Sequence, residues 1–587
     1  MPPHLPPGIR IHHDPSNPNP GKRRSLTATR PFSPGDEIAT FSNPLLVLPD
    51  NATMRTTCNY CLRRPSPTTT TTTTMATTTS GGQHQLKACT GCKAAVYCGA
   101  ACQRAHWRAV HRAECKMFLR VREQAGRDWL PTPVRAVAQV LLMLRAGGDA
   151  AVREAFEGGS DDGNDRGGGG GWWWSGLEGN VEGFESADGG VVWKDFELQA
   201  AAAVVYAGVL GGDEVLAKAR EILCKIQTNA FNRLDADTGM AGIFLDAGLA
   251  MVNHSCVPNA FIGFDKRTAV LRAERPIQEG GEITISYIDN TLPKAVRYEA
   301  LKLYHFRCNC PRCDDDLDVY DVCETSPNIP LNSFSLQPDL EKLRNPPIDR
   351  SKVTKAEIEA IYKKWQALAK PEGGNEGEHL KLAKARWELC RPLVEARMWA
   401  AEPLPTTVLE LATRWQTNYK MVVYALPLLC FLATECDPFK LVAPFMPWRI
   451  KGIVAIVKLL AVTGELTASG ALVATGCTHE GLLGTLVTAD QVSMCEALLR
   501  LAVRHGSVGA AEDWDVLQQA KSILEDVESL PGREQESNML RAWAKDPEDP
   551  ECAAFFETQV LKPIKTLSSF AVEILEVMLA GKSVVRR

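Results

Sequence analysis

Asn253-His254-Ser255-Cys256-Val257-Pro258-Asn259 packs two carboxamides, an imidazole and a thiol into seven residues between apolar segments, a composition that suits a site more than a core. Further along, Cys308-Asn309-Cys310-Pro311-Arg312-Cys313 offers three thiolates at metal-ligand spacing. A closed tetrahedral zinc site requires four, and Cys256 can supply the last. Between the two stretches, Gly281-Glu282-Ile283-Thr284-Ile285-Ser286-Tyr287 alternates and reads as a strand that delivers a tyrosine at its end.

At 587 residues and 45% hydrophobic content the chain exceeds one ordinary domain, and two large units and one small one are expected. The 19 cysteines cluster in C-x2-C and C-x3-C spacings, and the N-terminus carries no apolar signal region. Reduced, zinc-binding and intracellular, in nucleus or cytoplasm, is the expectation. A net charge of -5 gives no global pull towards nucleic acid. The longest apolar runs, Met421 to Ala433 and Ile453 to Val462, are interrupted by Pro427 and Lys458 and read as buried helices with no membrane span.

From Cys58 to Cys115 the chain shows Cys58-x2-Cys61, Cys89-x2-Cys92, Cys98-x3-Cys102 and His111-x3-Cys115, eight ligands, enough for two tetrahedral zinc ions. Cys98 and Cys102 lie one helical turn apart, as do His111 and Cys115, so each pair can share a helix face. Which ligands share an ion is left open by the spacing. The Thr-rich stretch Thr68 to Thr79 between them cannot bury a core and is expected to form a disordered loop. Arg104, Arg108, Arg112, Lys116 and Arg120 recur every four residues as a basic face, for which solvent is the default and acidic protein or nucleic-acid phosphate the alternative.

An Asn-His-Ser-Cys-x-Pro-Asn segment, a strand ending in Ser-Tyr and a Cys-x-Cys-x2-Cys run together resemble the C-terminal half of a SET domain, the S-adenosylmethionine-dependent lysine methyltransferase fold. With Tyr97-Cys98, Cys102-Gln103, Trp107, His111 and Cys115 resembling a MYND zinc finger, the chain is similar to the SET and MYND domain family. The resemblance implies an α+β fold: a SET-domain β-fold split by the finger, a post-SET zinc segment, and an all-α, tetratricopeptide-like C-terminal domain. The boundaries expected are 8–57 and 116–290 for the SET parts, 58–115 for the finger, 291–315 for the post-SET segment and 350–587 for the helical domain. An insertion at 156–190, rich in Gly and Asp and carrying Trp172-Trp173-Trp174, is expected to be flexible.

The resemblance also implies site residues. Cys58, Cys61, Cys98 and Cys102 would hold one zinc, Cys89, Cys92, His111 and Cys115 a second, and Cys256, Cys308, Cys310 and Cys313 a third. Gly21 to Thr29, with Lys22, Arg23 and Arg24, would form the first SET hairpin with Glu37 to Phe41 across a Pro34-Gly35 turn, and Arg23 and Ser25 stand where glycines are usual. Lys22, Arg23, Arg24, Asn229, Asn253, His254 and Tyr287 would bind S-adenosylmethionine, Phe306 would stack on its adenine, and Tyr287 and Tyr304 would line the lysine channel as catalytic residues. The function implied is a protein-lysine N-methyltransferase, expected to be a monomer, with a lysine-bearing protein as substrate and proline-containing peptides docking on the finger. The alternative is a zinc-stabilised interaction adaptor whose SET fold has lost cofactor affinity through Arg23 and Ser25. Helices are expected over 130–145, and, in the C-terminal half, after Asp490 to a close at Arg504-His505-Gly506, with Cys390, Cys430, Cys436, Cys477, Cys495 and Cys552 as core residues.

Overall fold

Thr268–Ala273 alternates cleanly, with Ala269, Leu271 and Ala273 buried and their neighbours half-exposed, and such a strand needs a partner on each edge. It is the centre of an antiparallel sheet ordered β10-β11-β3, with β10 Ala260–Asp265, β11 Thr268–Ala273 and β3 Glu37–Phe41. A second sheet runs β4-β8-β7, from β4 Leu46–Pro49, β8 Gly239–Leu245 and β7 Phe231–Asp235. β1 Ile9–His13 pairs with β2 Arg24–Ala28, and the two-residue β9 Asn253–His254 pairs in parallel with β12 Thr284–Ile285. The computed structural model describes residues 5–14, 24–64, 86–156, 176–235, 239–325, 336, 338–368, 376–418, 420–441, 443–509 and 514–580. Lys22, Arg23, the Thr-rich stretch and Trp172 to Trp174 lie outside them.

The expected hairpin between 21–29 and 37–41 does not form. β2 pairs with β1, while its other edge takes Ile283, which donates to the Leu26 carbonyl at 2.8 Å, and Gly281, which accepts from Ala28 N–H at 2.9 Å. β3 is claimed by β11, and the Pro34-Gly35 turn joins the two sheets: Gly35 N–H donates to the Ala273 carbonyl at 2.8 Å, with φ of +91°. Long-range partners thus take the edges that a β2-β3 hairpin would need. The expected strand at 281–287 shortens for the same reason: only Thr284–Ile285 are in a regular ladder, and Tyr287 lies two residues beyond it.

Contacts divide the chain into two units, the first of residues 1–254, 258–285 and 301–307, the second of 255–257, 286–300 and 308–587. In the first, α1 Ala100–His106 continues through a wide π-type turn at Trp107–His111 into α2 Arg112–Ala125, and α3 runs Thr132–Phe156, eleven residues past the expected end at Arg145. Thr132 starts α3, with Pro133 in its first turn. The ends of the insertion meet there: Thr132 Oγ1 donates to Asp50 Oδ2 at 2.7 Å and accepts from Asn51 N–H at 3.1 Å. Part of the expected flexible segment is helical, since α4 Val181–Ser186 buries Phe184 against Phe196 of α5 Val191–Ala207, with ring centroids 4.9 Å apart. α6 Asp213–Asn229 follows. Of the basic face, Arg104, Arg108, Arg112 and Lys116 are exposed, as the solvent reading expects, whereas Arg120 donates to the Tyr206 carbonyl at 2.8 Å.

The second unit contains α7 Lys294–Leu301, apart from Leu301 itself, and is helical thereafter among the described residues. α8 Val422–Phe431 buries all ten of its residues, as the buried-helix expectation has it, and runs through Pro427 before widening at Leu432–Cys436. The stretch Val422–Lys440 is long and apolar enough to cross a bilayer, and 89% of its apolar window is buried within the protein. α9 Pro447–Ala468 packs on α10 Gln491–Gly509, and α10 packs on α11 Asp515–Glu528. Asp490 caps α10 by accepting from Ser493 N–H at 3.0 Å, and the helix continues past Gly506 to Gly509. The six scattered cysteines of this half are all buried.

Gly242 of β8 sits at φ +146°, and a Cβ there would overlap the Leu48 carbonyl oxygen of β4. Gly242→Ala is expected to destabilise the first unit by about 2–4 kcal/mol through backbone strain and loss of the β4-β8 ladder. A urea unfolding curve followed by far-UV circular dichroism measures this; an unchanged midpoint contradicts it.

Candidate functional site

The Asn-His segment is built by a crossing of chains. β9 lies parallel to β12, and Asn259, five residues after His254, locks the crossing: its Oδ1 accepts from Thr284 N–H at 2.8 Å and its Nδ2 donates to the Glu282 carbonyl at 2.8 Å. Its own carbonyl accepts from Glu274 N–H at 2.8 Å. Asn253, nearly buried, donates both amide hydrogens, to the Arg24 carbonyl at 3.0 Å and to Glu282 Oε1 at 2.8 Å. His254 is buried, and the half-buried Phe306 ring lies 5.9 Å from it at 53°, with Tyr304 6.5 Å from Phe306. The first unit therefore brings Arg24, Asn253, His254 and Phe306 together, with Tyr304 beside them.

Asn229, at the end of α6, spends both amide hydrogens on carbonyls, those of Glu178 and Lys225, each at 2.7 Å. Ser25 is buried in β2 opposite His12 and is not among the residues with a left-handed backbone, so the strand makes no demand for glycine there. Tyr287 belongs to the second unit. Burial raises the Tyr304 hydroxyl above its ordinary pKa, which keeps it a neutral phenol near pH 7. Asn259 and Glu282 were quoted within the sequence motifs without a role; their pairing is set by residues more than twenty positions apart, which no local pattern reveals.

Three groups of four ligands have their donor atoms within 4.8 Å of one another: Cys58, Cys61, Cys98 and Cys102; Cys89, Cys92, His111 and Cys115; and Cys256, Cys308, Cys310 and Cys313. These are the sets that the resemblance implies. Zinc–sulfur bonds of about 2.3 Å in a tetrahedron put sulfurs roughly 3.8 Å apart. The observed separations fit: 3.6 Å for Cys61–Cys98, 3.4 Å for Cys98–Cys102, 3.9 Å for Cys89–Cys115 and 3.6 Å for Cys313–Cys256. They are too long for disulfides, and none of the 19 cysteines is in one. Both Cys-x2-Cys loops of the finger are shaped alike. Leu62 N–H donates to the Cys58 carbonyl and Lys93 N–H to that of Cys89, and Leu62 and Lys93 take φ of +63° and +60°. Cys98 precedes α1 and only Cys102 is helical, so that pair shares a helix start and not a face.

Around the second tetrad lies a buried network that the spacing does not reveal. Cys92 Sγ is 3.7 Å from His111 Nε2, and His111 Nδ1 is 2.7 Å from Glu114 Oε2, an arrangement that fixes the ring for a metal. Glu114 Oε1 accepts from Arg135 Nε at 2.7 Å and Gln139 Nε2 at 2.6 Å, both on α3. Full burial works against the Glu114 charge, yet Arg135 and His111 hold its carboxyl well below the usual range. Burial pushes His106 down to about 3, so the neutral ring pairs with the Tyr97 hydroxyl at 3.0 Å. In the second unit, buried Arg297 donates to Cys313 Sγ at 3.6 Å and to the Leu292 carbonyl at 2.6 Å, and buried Arg312 donates to the Leu317 carbonyl at 3.1 Å. The sequence signal for Glu114 is an acid set between the ligands His111 and Cys115, on a helix whose other charged residues up to Arg122 are basic.

The SET domain family model matches residues 23–288. The Arabidopsis thaliana protein named "Histone-lysine N-methyltransferase ASHR1" is 27% identical over 309 residues, 52% of this chain and 56% of its own. "SET domain and MYND-type zinc finger protein 6" of Schizosaccharomyces pombe is 29% identical over 268 residues, 46% and 45% of the two chains. Human "N-lysine methyltransferase SMYD2" is 26% identical over 298 residues, 50% and 59%. The matches span about half the length of these relatives.

Glu114→Gln keeps the shape and removes the charge that pairs with buried Arg135. It is expected to cost about 3–5 kcal/mol of finger docking and about 10–100-fold in zinc affinity at the second tetrad. Chelator competition with a colorimetric zinc indicator reads the latter; release kinetics identical to wild type contradict the coupling.

Proposed function

Because the chain belongs to the SET and MYND domain family, we propose that it is an S-adenosylmethionine-dependent protein-lysine N-methyltransferase. The observation that carries the reading is the buried crossing at Asn253-His254 with Phe306 against the histidine. An aromatic ring beside buried polar groups suits a flat base attached to a zwitterionic amino acid. Asn253, already oriented by the Arg24 carbonyl and Glu282, is rigid enough to present its remaining Oδ1 to a donor on the ligand. Phe306 offers a half-exposed face for stacking.

S-adenosylmethionine, when bound, supplies a methyl group already activated by a sulfonium. What remains for the protein is alignment and water exclusion, and positioning of this kind is worth roughly 7–11 kcal/mol. Tyr304, a neutral phenol, serves as a channel wall and hydrogen-bond partner and not as a base. Tyr287 is assigned the orientation of the incoming amine. A free lysine with a pKa of about 10.4 is protonated at pH 7 by about 4.6 kcal/mol, and a channel that desolvates it lowers that cost. No dedicated base is assigned. The three metal tetrads hold structural zinc, since four protein ligands leave no open coordination position. Along the chain, Cys256 follows His254 by two residues and Cys308 follows Phe306 by two.

A lysine-bearing protein substrate, a monomeric state, docking of proline-containing peptides on the finger and a nuclear or cytoplasmic setting belong to this reading. Grouping of eleven cysteines and His111 into metal-ligand tetrads is the chemistry on which the intracellular expectation rests. The extended backbone of Ser25 removes one reason for the adaptor alternative.

Calorimetric titration of S-adenosylmethionine into zinc-loaded protein is expected to give micromolar saturable binding, weakened about tenfold or more in Asn253→Ala. No heat of binding at several temperatures from folded protein sinks the enzyme reading and leaves the adaptor. Tyr287→Phe is expected to lower methyl transfer to protein lysines on the order of 100-fold, with cofactor affinity and melting midpoint unchanged, measured by transfer of a labelled methyl group.

A further inference from the structure

His305, between Tyr304 and Phe306, holds a left-handed backbone with φ 55° and ψ 31°, a conformation that a side chain with a Cβ adopts only when its surroundings impose it. The surroundings are α4. A Cβ on Gly183 would come within 2.6 Å of His305 Nδ1 and 2.7 Å of its Cγ, so the imidazole lies flush against a helix surface that only glycine leaves open. Phe184, the next residue, meets the same ring edge-on at 4.6 Å and 86°. His305 Nε2 is buried with no hydrogen-bond partner, so shape and not hydrogen bonding at that atom seats the ring. Phe184 is fixed by Phe196 of α5, and the approach to α4 is fixed by Asn229, whose amide holds the Glu178 carbonyl.

We propose that Gly183 and Phe184 of α4 are positioning residues for the cofactor site: they seat His305 and, through its reversed backbone, fix Phe306 beside His254 and Tyr304 beside Phe306. The inference rests on the methyltransferase reading. It makes the segment after the glycine-rich insertion part of the site's support, although none of it touches Asn253 or His254 among the described contacts.

Gly183 has an ordinary helical backbone, and alanine is the better helix former, so a purely local role predicts that Gly183→Ala is neutral or stabilising. Seating of His305 predicts instead that Gly183→Ala weakens S-adenosylmethionine binding about tenfold with no loss of melting midpoint. In a His305→Gly background, where the ring is gone and the left-handed backbone is unstrained, the same substitution is expected to change affinity less than about twofold. The four titrations form a cycle. Wild-type affinity in Gly183→Ala overturns the inference, as does an effect undiminished by His305→Gly. Should Gly183→Ala not fold, His305→Gly alone decides: severalfold weaker binding supports the seat and wild-type binding overturns it. Failure of the wild-type protein to bind the cofactor at all overturns the methyltransferase reading and this inference with it, a result distinguishable from the others in the first titration.

Discussion

Two residues of parallel pairing, Asn253-His254 against Thr284-Ile285, hold the candidate site together. Parallel strands need a crossover connection, and here the β10-β11 hairpin and the return past Ile277 supply it. A ladder so short has little stability by itself, and side chains make up the deficit. Asn259 adds two hydrogen bonds to the 282–284 backbone, and Asn253 adds one to Arg24 and one to Glu282. Every described group near His254 depends on that crossing: β2 through the Leu26 carbonyl, β12 through its ladder, Phe306 through its contact with the imidazole.

Metal sites impose a second constraint, one of charge. Four thiolates around a zinc dication carry a net double negative charge, which burial makes expensive unless cations lie close. Arg297 and Arg312, 1% and 3% exposed, stand at the third tetrad, and burial with Arg297 nearby brings the Arg312 guanidinium down only to about 10, so it remains charged near pH 7. At the second tetrad the imidazole ligand reduces the charge, Glu114 restores it, and Arg135 offsets it.

What was legible in the sequence was whatever short spacing encodes. The ligands were legible as closely spaced pairs, because Cys-x2-Cys and Cys-x3-Cys fix donor separation through local backbone geometry, whereas their grouping into three tetrads came from the family resemblance, which the structure matches. Glu37–Phe41 is a strand with the expected bounds, a short run with β-branched and aromatic residues that follows on the Pro34-Gly35 turn. Pairing was not legible: β2 and β3 are close in sequence, yet β2 pairs with β1 on one edge and with residues 281–283 on the other, and β3 pairs with β11 more than two hundred positions away, which nothing local distinguishes from a hairpin. Glu114 was hidden for another reason. A charged residue flanked by ligands looks like solvent-facing text until its partners on α3 are known.

The clasp of Thr132 on Asp50 brings the ends of the finger-bearing segment side by side, which resembles the architecture of a removable cassette. Arg135 and Gln139, however, belong to the host helix and face the guest. Cutting the cassette out at the clasp would leave an arginine that is 1% exposed without its carboxylate, and transplanting the cassette elsewhere would leave Glu114 without Arg135 and Gln139. Host and guest are therefore mutually dependent in this chain, and a finger exchanged without the first turns of α3 would strand one side of the buried pair.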